Sequence, residues 1–338
     1  MMMYTNIKPL NNYNPPSLLK IYKLFSFVGV LRESQKLFLR NGKLMSSITI
    51  LIILLSSILL VVNIFSIKPS ITDLALKATF LPMTVPGSPD FADLLTSLKN
   101  DLRLVIGLEG IFILAFSFSS LFFATASILA SGVTYCGKNL SVKELLSRGV
   151  KSLKRPFVTW FYIMLLHLGY CLFLIAFLVP LVLLFSPKFT LSAFSIIVLI
   201  AATLFQAYLA VVWNLALVVS VLEEKWGMEA LGKAGQLIKG SKLCGFFLNI
   251  IFGVFSFSVI YGLKKIGNTA FSGSEIVIPL ILLNSMSLIR LFSLMAYTVL
   301  YYKCKETHGE ELEMQGGVEH QYTKVTAVTP LISSDEAC

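Results

Sequence analysis

Six stretches of this chain are apolar for longer than a lipid bilayer is thick, and that leaves few folds open to it. Between Lys43 and Lys68, Glu109 and Lys138, Arg155 and Lys188, Lys188 and Glu223, and Lys242 and Lys264, runs of 24, 28, 32, 34 and 21 residues carry no charge. At 1.5 Å per residue, about 20 helical residues cross the roughly 30 Å of hydrocarbon in a bilayer. Hydrocarbon offers the backbone no hydrogen-bond partners, so such segments cross as helices. A sixth run, 276–302, is interrupted only by Arg290. A central Arg costs about 2.5–3.5 kcal/mol on the insertion scale. The 14 Leu, Ile, Val and Phe residues between Ile276 and Leu300 contribute roughly 4–8 kcal/mol in the other direction. Insertion wins. The spacing predicts spans near 46–67, 104–130, 157–185, 191–222, 244–263 and 276–302. The third and fourth exceed what is needed, so they should tilt, kink at Pro180 or project beyond the lipid.

Composition agrees. The chain is 56% hydrophobic and 14% charged, whereas a soluble domain carries roughly a quarter charged residues. Its formal charge of +10 does not point to nucleic acid, because the cations sit between apolar runs and form no basic–aromatic surface. Segments 1–45, 131–156, 223–243 and 303–338 hold 7, 6, 4 and 3 Lys or Arg, while the alternate loops 68–103, 186–190 and 264–275 hold 4, 1 and 2. The positive-inside rule therefore puts both termini in the cytoplasm, in the plasma membrane or the endomembrane system. Residues 1–20, rich in Asn, Pro and Tyr, do not read as a cleaved signal peptide. The sequon Asn139, Leu140, Ser141 falls on the cytoplasmic side and should stay unglycosylated.

Three cytoplasmic segments share one template, with apolar or small residues at i, i+3, i+4, i+7 and i+11. They are Phe27, Val30, Leu31, Ser34, Phe38; Val142, Leu145, Leu146, Gly149, Leu153; and Gly227, Ala230, Leu231, Ala234, Ile238. That spacing makes one helical face. The opposite face is basic, with Lys36 and Arg40 on the first segment and Lys143, Arg148, Lys151 and Lys154 on the second. Gly42, Pro156 and Gly240 follow as breakers, and a span begins almost at once. The segments read as interfacial helices on the inner leaflet, turning into spans one, three and five and meeting anionic lipids. Ser141 with Glu144 fits a capping box. The recurring order of amphipathic helix, breaker, span, outer connection and return span suggests a threefold repeat. The fold class is thus all-α and polytopic: an N-terminal segment 1–25, a membrane domain 26–304 and a tail 305–338.

The outer loop 68–103 contains a helix-like stretch, 91–103, with Asp90 as N-cap. Its Phe80, Leu81, Met83 and Phe91 are expected to pack on the helix ends. The tail holds seven acidic residues against two basic and reads as disordered and cytoplasmic. Within it, Tyr322 and Val325 have the spacing of a tyrosine sorting signal for cytosolic adaptor proteins. Cys136, Cys244 and Cys304 lie near cytoplasmic helix ends, either unmodified or palmitoylated, and the five cysteines show no disulfide framework.

Ionisable groups in lipid usually face the bundle interior or water. Arg290 and His167 lie near the middle of their spans, and Asn214 is roughly 12 Å deep. These three could line a polar cavity, or each could simply bond to a neighbouring helix. Glu109, roughly 8 Å from the outer end, can reach interfacial water. Asn249 and Asn284 read as packing contacts between helices, and Ser120, Ala124, Ser127 and Ser131 as a close helix contact. No phosphate loop, metal-binding spacing or nucleophile elbow appears, so neither catalysis, a metal nor a cofactor is expected.

The stretch NLALVVSVLEEKWGMEALGKAGQLIKG, residues 214–240, resembles a plant family of uncharacterised multi-pass membrane proteins, as does GVLRESQKLFLRNGKL, residues 29–44. The resemblance covers about residues 20–312. More remotely, the helix end, the Glu-x-x-Gly-like stretch, the Ala-Leu pair and the final Leu-x-Lys-Gly are similar to the membrane domain attached to some bacterial glycerophosphodiester phosphodiesterases. The resemblance implies a six-span fold; no phosphodiesterase catalytic domain accompanies it, so no activity carries over.

Three functions are open on the sequence. The leading one is a non-enzymatic scaffold or trafficking component that recruits partners through the basic helices and the tail. A transporter or channel for a small polar or anionic solute would use Arg290 and His167. A lipid-handling protein would hold anionic lipids on the basic helices. The orientation common to all three predicts that epitope tags at either terminus are reached by antibody only after the plasma membrane is permeabilised; labelling of intact cells would overturn it.

Overall fold

The computed structural model describes residues 16–138, 140–184, 189–269 and 274–309, and among them there are nine α-helices and no strand. Helix α1 spans Pro16–Arg40, α2 Gly42–Phe80, α3 Pro89–Tyr135, α4 Val142–Ser152, α5 Lys154–Leu184, α6 Phe189–Leu222, α7 Gly227–Leu237, α8 Lys242–Thr269 and α9 Ser274–Thr307. Six of them (α2, α3, α5, α6, α8 and α9) are long and apolar enough to cross a membrane. The chain is an all-α, multi-pass integral membrane protein. Tyr322 and Val325 of the tail, with Cys338 and Asn139, lie outside the described residues.

Each short helix is followed by a hairpin of two long ones. The chain bends at Asn41 between α1 and α2, at Leu153 between α4 and α5, and through Gly240 at φ +94° between α7 and α8. The break before α5 falls earlier than Pro156, which sits in the first turn of α5, where a missing backbone N–H costs nothing. The contacts then run in a cycle. Helix α4 packs on α2 and α3, α7 packs on α5 and α6, and α1 packs on α8 and α9, so each short helix leans on the hairpin of the unit before it and α1 closes the ring.

The faces foreseen for the short helices are the buried ones, but they are buried in protein. Val30, Leu145, Ala230, Ala234 and Ile238 are each at most 1% exposed and belong to one apolar core. They cover the ends of the spans, and the basic faces point outward. Lys36, Arg40, Lys143, Lys151 and Lys154 are exposed, and Arg148 is half-buried and paired with Glu144 at 2.6 Å. That pair also changes the capping box. The Ser141 hydroxyl accepts from the Glu144 N–H at 3.3 Å, but the Glu144 carboxylate turns to Arg148 instead of returning to Ser141.

The region near residues 214–240 shows why its sequence is so particular. Leu215 to Glu223 are all buried. Gly227 adopts φ +56°, donates its N–H to the buried Thr159 hydroxyl of α5 at 2.9 Å, and begins α7. Ala230 and Ala234 are fully buried, so α7 lies close on the bundle. The neighbouring carboxylates have separate partners: Glu223 accepts from Tyr301 at 2.7 Å, and Glu224 pairs with Arg155 at 3.1 Å.

The first hairpin departs most from expectation. In place of a loop over 68–103, α2 continues through Pro69 to Phe80, and α3 starts at Pro89. These helices of 39 and 47 residues measure about 60 and 70 Å, so their paired outer ends outgrow the hydrocarbon. Lys77 bridges to Asp101, and Asn63 donates to Glu109 at 3.3 Å, tying the two together. The cap of α3 is Ser88, accepting from the Phe91 N–H, with Pro89 in the first turn; Asp90 is merely an acid within that turn. Phe80 and Met83 are exposed and do not pack on helix ends.

Helices α6 and α8 meet where glycine permits it. A Cβ at Gly245 would lie 2.4 Å from Cγ1 of Val211, a side chain held stiffly in a helix, whereas one at Gly262 on the same helix meets nothing within 4 Å. Gly245→Ala should therefore destabilise the protein by about 1–3 kcal/mol, read as a lower Tm in nanodiscs, while Gly262→Ala should leave Tm unchanged or slightly raised.

Candidate functional site

Arg290 lies near the middle of its span by sequence, and in the structure its exposed side chain has neutral neighbours. It lies on α9, where Leu283, Met286, Ser287, Arg290, Leu291 and Leu294 recur at helical spacing and form one face. A matching face of α3 carries Phe116, Ser119, Ser120, Phe123, Ala124 and Ser127, and α2 adds Ile52 and Ser56. Together they enclose a cavity of 380 Å³. On the other side of Arg290, a second cavity of 270 Å³ opens among Asn214, Asn249, Phe252, Ser256 and Ser293, contributed by α6, α8 and α9. Arg290 and Met286 line both.

A directed chain of hydrogen bonds holds the arginine. Its Nη1 donates to Oδ1 of Asn214 at 3.0 Å, and Nδ2 of Asn214 donates to Oδ1 of Asn249 at 3.4 Å. Oδ1 of Asn249 also accepts from the Tyr297 hydroxyl at 2.7 Å, while its Nδ2 donates to the Ala207 carbonyl at 2.7 Å. Every amide oxygen in the chain is thus taken. A guanidinium has five N–H donors, and among the described residues Asn214 is the one side chain that accepts from it. No carboxylate lies within ion-pair distance of Arg290 among the described residues.

Of the hydroxyls lining the larger cavity, those of Ser56 and Ser287 donate to the carbonyl four residues earlier, at 2.7 and 2.9 Å. That is the usual resting state of a helical hydroxyl in lipid. The Ser127 hydroxyl has no partner although the residue is 2% exposed. The expectation that Ser120, Ala124, Ser127 and Ser131 make a close helix contact therefore holds in part: Ser131 is fully buried, but the other three line the cavity.

Of the other residues foreseen, Asn214 joins Arg290 and His167 does not. His167 on α5 meets Nε2 of Gln206 on α6 at 2.8 Å through Nδ1, and the edge of the Trp213 ring at 5.9 Å. The convergence of Arg290, Asn214 and His167 is corrected to Arg290, Asn214, Asn249 and Tyr297. Glu109 is exposed at the outer hairpin and accepts from Asn63. Asn284 bridges to Ser56 and Ser57 of α2 at 3.0–3.3 Å, a packing contact as expected. Cys244 and Cys304 are 3% and 1% exposed, which leaves no room for acylation there, while Cys136 is half-buried beside the Tyr302 hydroxyl at 3.7 Å. Among the described residues, no three His, Cys, Asp or Glu side chains gather as metal ligands would.

Tyr297 was missed by sequence reasoning, and so were Gln206, Glu223 and Lys305. Tyr297 lies seven residues after Arg290, on the same face of α9, and that spacing was the available signal. Glu223 and Lys305 lie at the ends of apolar runs, where charge looks solvated, yet they are 6% and 8% exposed. Lys305 lies over the Tyr301 ring at 6.0 Å, the ring whose hydroxyl bonds Glu223.

A family model described as a domain of unknown function, DUF8558, matches residues 20–336. No curated protein and no solved structure is significantly similar to the chain.

The hydrogen-bond chain makes a stability prediction separate from any ligand. Asn249→Leu removes the acceptor of Tyr297 and Asn214 together; at about 0.6–2 kcal/mol per contact in lipid, thermal unfolding in nanodiscs should move down clearly. Asn63→Leu on the exposed hairpin should move it far less, and equal shifts would count against a central role for Asn249.

Proposed function

The chain belongs to the DUF8558 family, and we propose that it is a membrane carrier for a small anionic or polar solute, with Arg290 as the binding group. One observation carries this reading: among the described residues, the guanidinium stands between two cavities with a single neutral side-chain acceptor and no carboxylate at ion-pair distance. An arginine kept for structure alone in lipid is expected to be paired, because an unpaired charge there is costly and rare. Its remaining N–H donors form a planar fork suited to a carboxylate or phosphate. The polar chain through Asn214, Asn249 and Tyr297 spans α6, α8 and α9, so occupancy at Arg290 would be felt by three of the six spans. His167 has no part in this reading, being engaged with Gln206 on another helix pair.

The scaffold reading rests on the basic helices and on the tail, whose Tyr322 and Val325 lie outside the described residues, and no packing observation favours it over the carrier. The short helices do support an association with anionic lipid. With their apolar faces turned into the bundle, Lys36, Arg40, Lys143, Lys151 and Lys154 face outward, each worth about 1 kcal/mol against an anionic leaflet. This complements the orientation read from loop charges, with the short-helix end in the cytoplasm.

The decisive measurement is uptake of radiolabelled acetate and inorganic phosphate into liposomes of neutral phosphatidylcholine. Wild-type protein should exceed empty liposomes, Arg290→Leu should lose at least about tenfold of that excess, equivalent to about 1.4 kcal/mol, and Arg290→Lys should retain part of it. Uptake that ignores Arg290→Leu would overturn the reading.

A further inference from the structure

The larger cavity says more about the ligand than charge alone. Resting on the carrier reading, we infer that the ligand of Arg290 is an amphipathic organic monoanion: one carboxylate- or phosphate-type head and a single apolar tail. The cavity wall is mostly apolar around a single cation, with serines set along it. Helix α9 runs from Leu283 to Leu294, and α3 runs the same way from Phe116 to Ser127. Toward the start of both, Phe116, Leu283 and Met286 share the wall with Ser119, Ser120 and Ser287. Further along stand Arg290 and Ser127, the latter buried with its hydroxyl unpartnered.

A small inorganic anion would meet Arg290 and leave the apolar wall unfilled. An amphiphile would meet both. The head would take the free guanidinium donors, with a hydroxyl donor available from Ser127 after rotation about χ1. The tail would lie along Phe116, Leu283 and Met286, over a length of roughly 10 Å from Arg290 to Leu283. A volume of 380 Å³ is at the small end of the roughly 300–1,000 Å³ typical of small-molecule sites, which suits one chain better than two. The cavity is bounded by three spans, α2, α3 and α9.

The test uses dodecanoate carrying a photoreactive diazirine on its chain, added to the full-length protein in nanodiscs of phosphatidylcholine. Irradiation should label peptides containing Phe116 and Met286, and excess unmodified dodecanoate should remove the label. Dodecanol should compete at least tenfold less well, because it lacks the charge. Arg290→Gln should reduce labelling at least tenfold, with partial recovery in Arg290→Lys. Ser120→Phe, which fills the cavity and keeps the arginine, should also abolish it, with wild-type Tm and gel-filtration behaviour certifying the fold of each variant. Labelling spread over lipid-facing helices, or unaffected by Ser120→Phe, would overturn the inference. Acetate or phosphate uptake that depends on Arg290, with dodecanoate labelling that does not, would remove the amphiphile and leave the carrier standing. If neither responds to Arg290, both readings fall.

Discussion

A bilayer interior supplies neither hydrogen bonds to a backbone nor a hydrophobic force between helices already immersed in it. The first deficiency makes each crossing segment a helix. The second means that something other than greasiness must hold the helices together, and here that something is concentrated at one end. The buried residues of α3, α6 and α9 cluster in the halves near the short helices, at Leu121–Thr134, Val211–Glu223 and Leu291–Cys304. Much of α5, by contrast, turns apolar side chains such as Leu168, Phe173 and Ile175 outward, where lipid covers them.

The three short helices complete that packed end. Each presents a buried face of small or apolar residues to the hairpin of the preceding unit, and the cycle α4 on α2–α3, α7 on α5–α6, α1 on α8–α9 ties the units together. At this end the chain is also near water, so polar anchors become affordable: Lys303 with Glu33 at 2.6 Å, Arg155 with Glu224, and Tyr301 with Glu223. A firm end and a looser opposite half leave space in the membrane between them. Arg290 stands where one gives way to the other: Leu291 and the residues after it are largely buried, while those before it line the cavities.

The polar chain at that boundary has a consistent direction. Arg290 donates to Asn214, Asn214 to Asn249, and Asn249 to a backbone carbonyl, with Tyr297 donating in from α9. Reversing any amide would leave an acceptor facing an acceptor or a donor facing a donor, at the high cost of an unmet polar group in low dielectric. The arrangement therefore orients the arginine without a carboxylate beside it among the described residues.

Six spans, their approximate places and the buried faces of the short helices were legible in the residues, because hydropathy and helical spacing are local properties. Outer helix lengths were not: charges such as Lys77 and Asp101 look like loop until they are seen pairing across a hairpin. Nor could spacing decide what a buried face would meet: the apolar faces of the short helices lie on protein. The same limit governed the site. Sequence placed Arg290, His167 and Asn214 at similar depths, but depth along a helix says nothing about rotation around it or about which helix stands opposite. Only the tertiary arrangement joined Arg290 to Asn214, Asn249 and Tyr297, gave His167 to Gln206 and opened a cavity beside three serines of α3, because contacts between distant segments depend on how the helices pack.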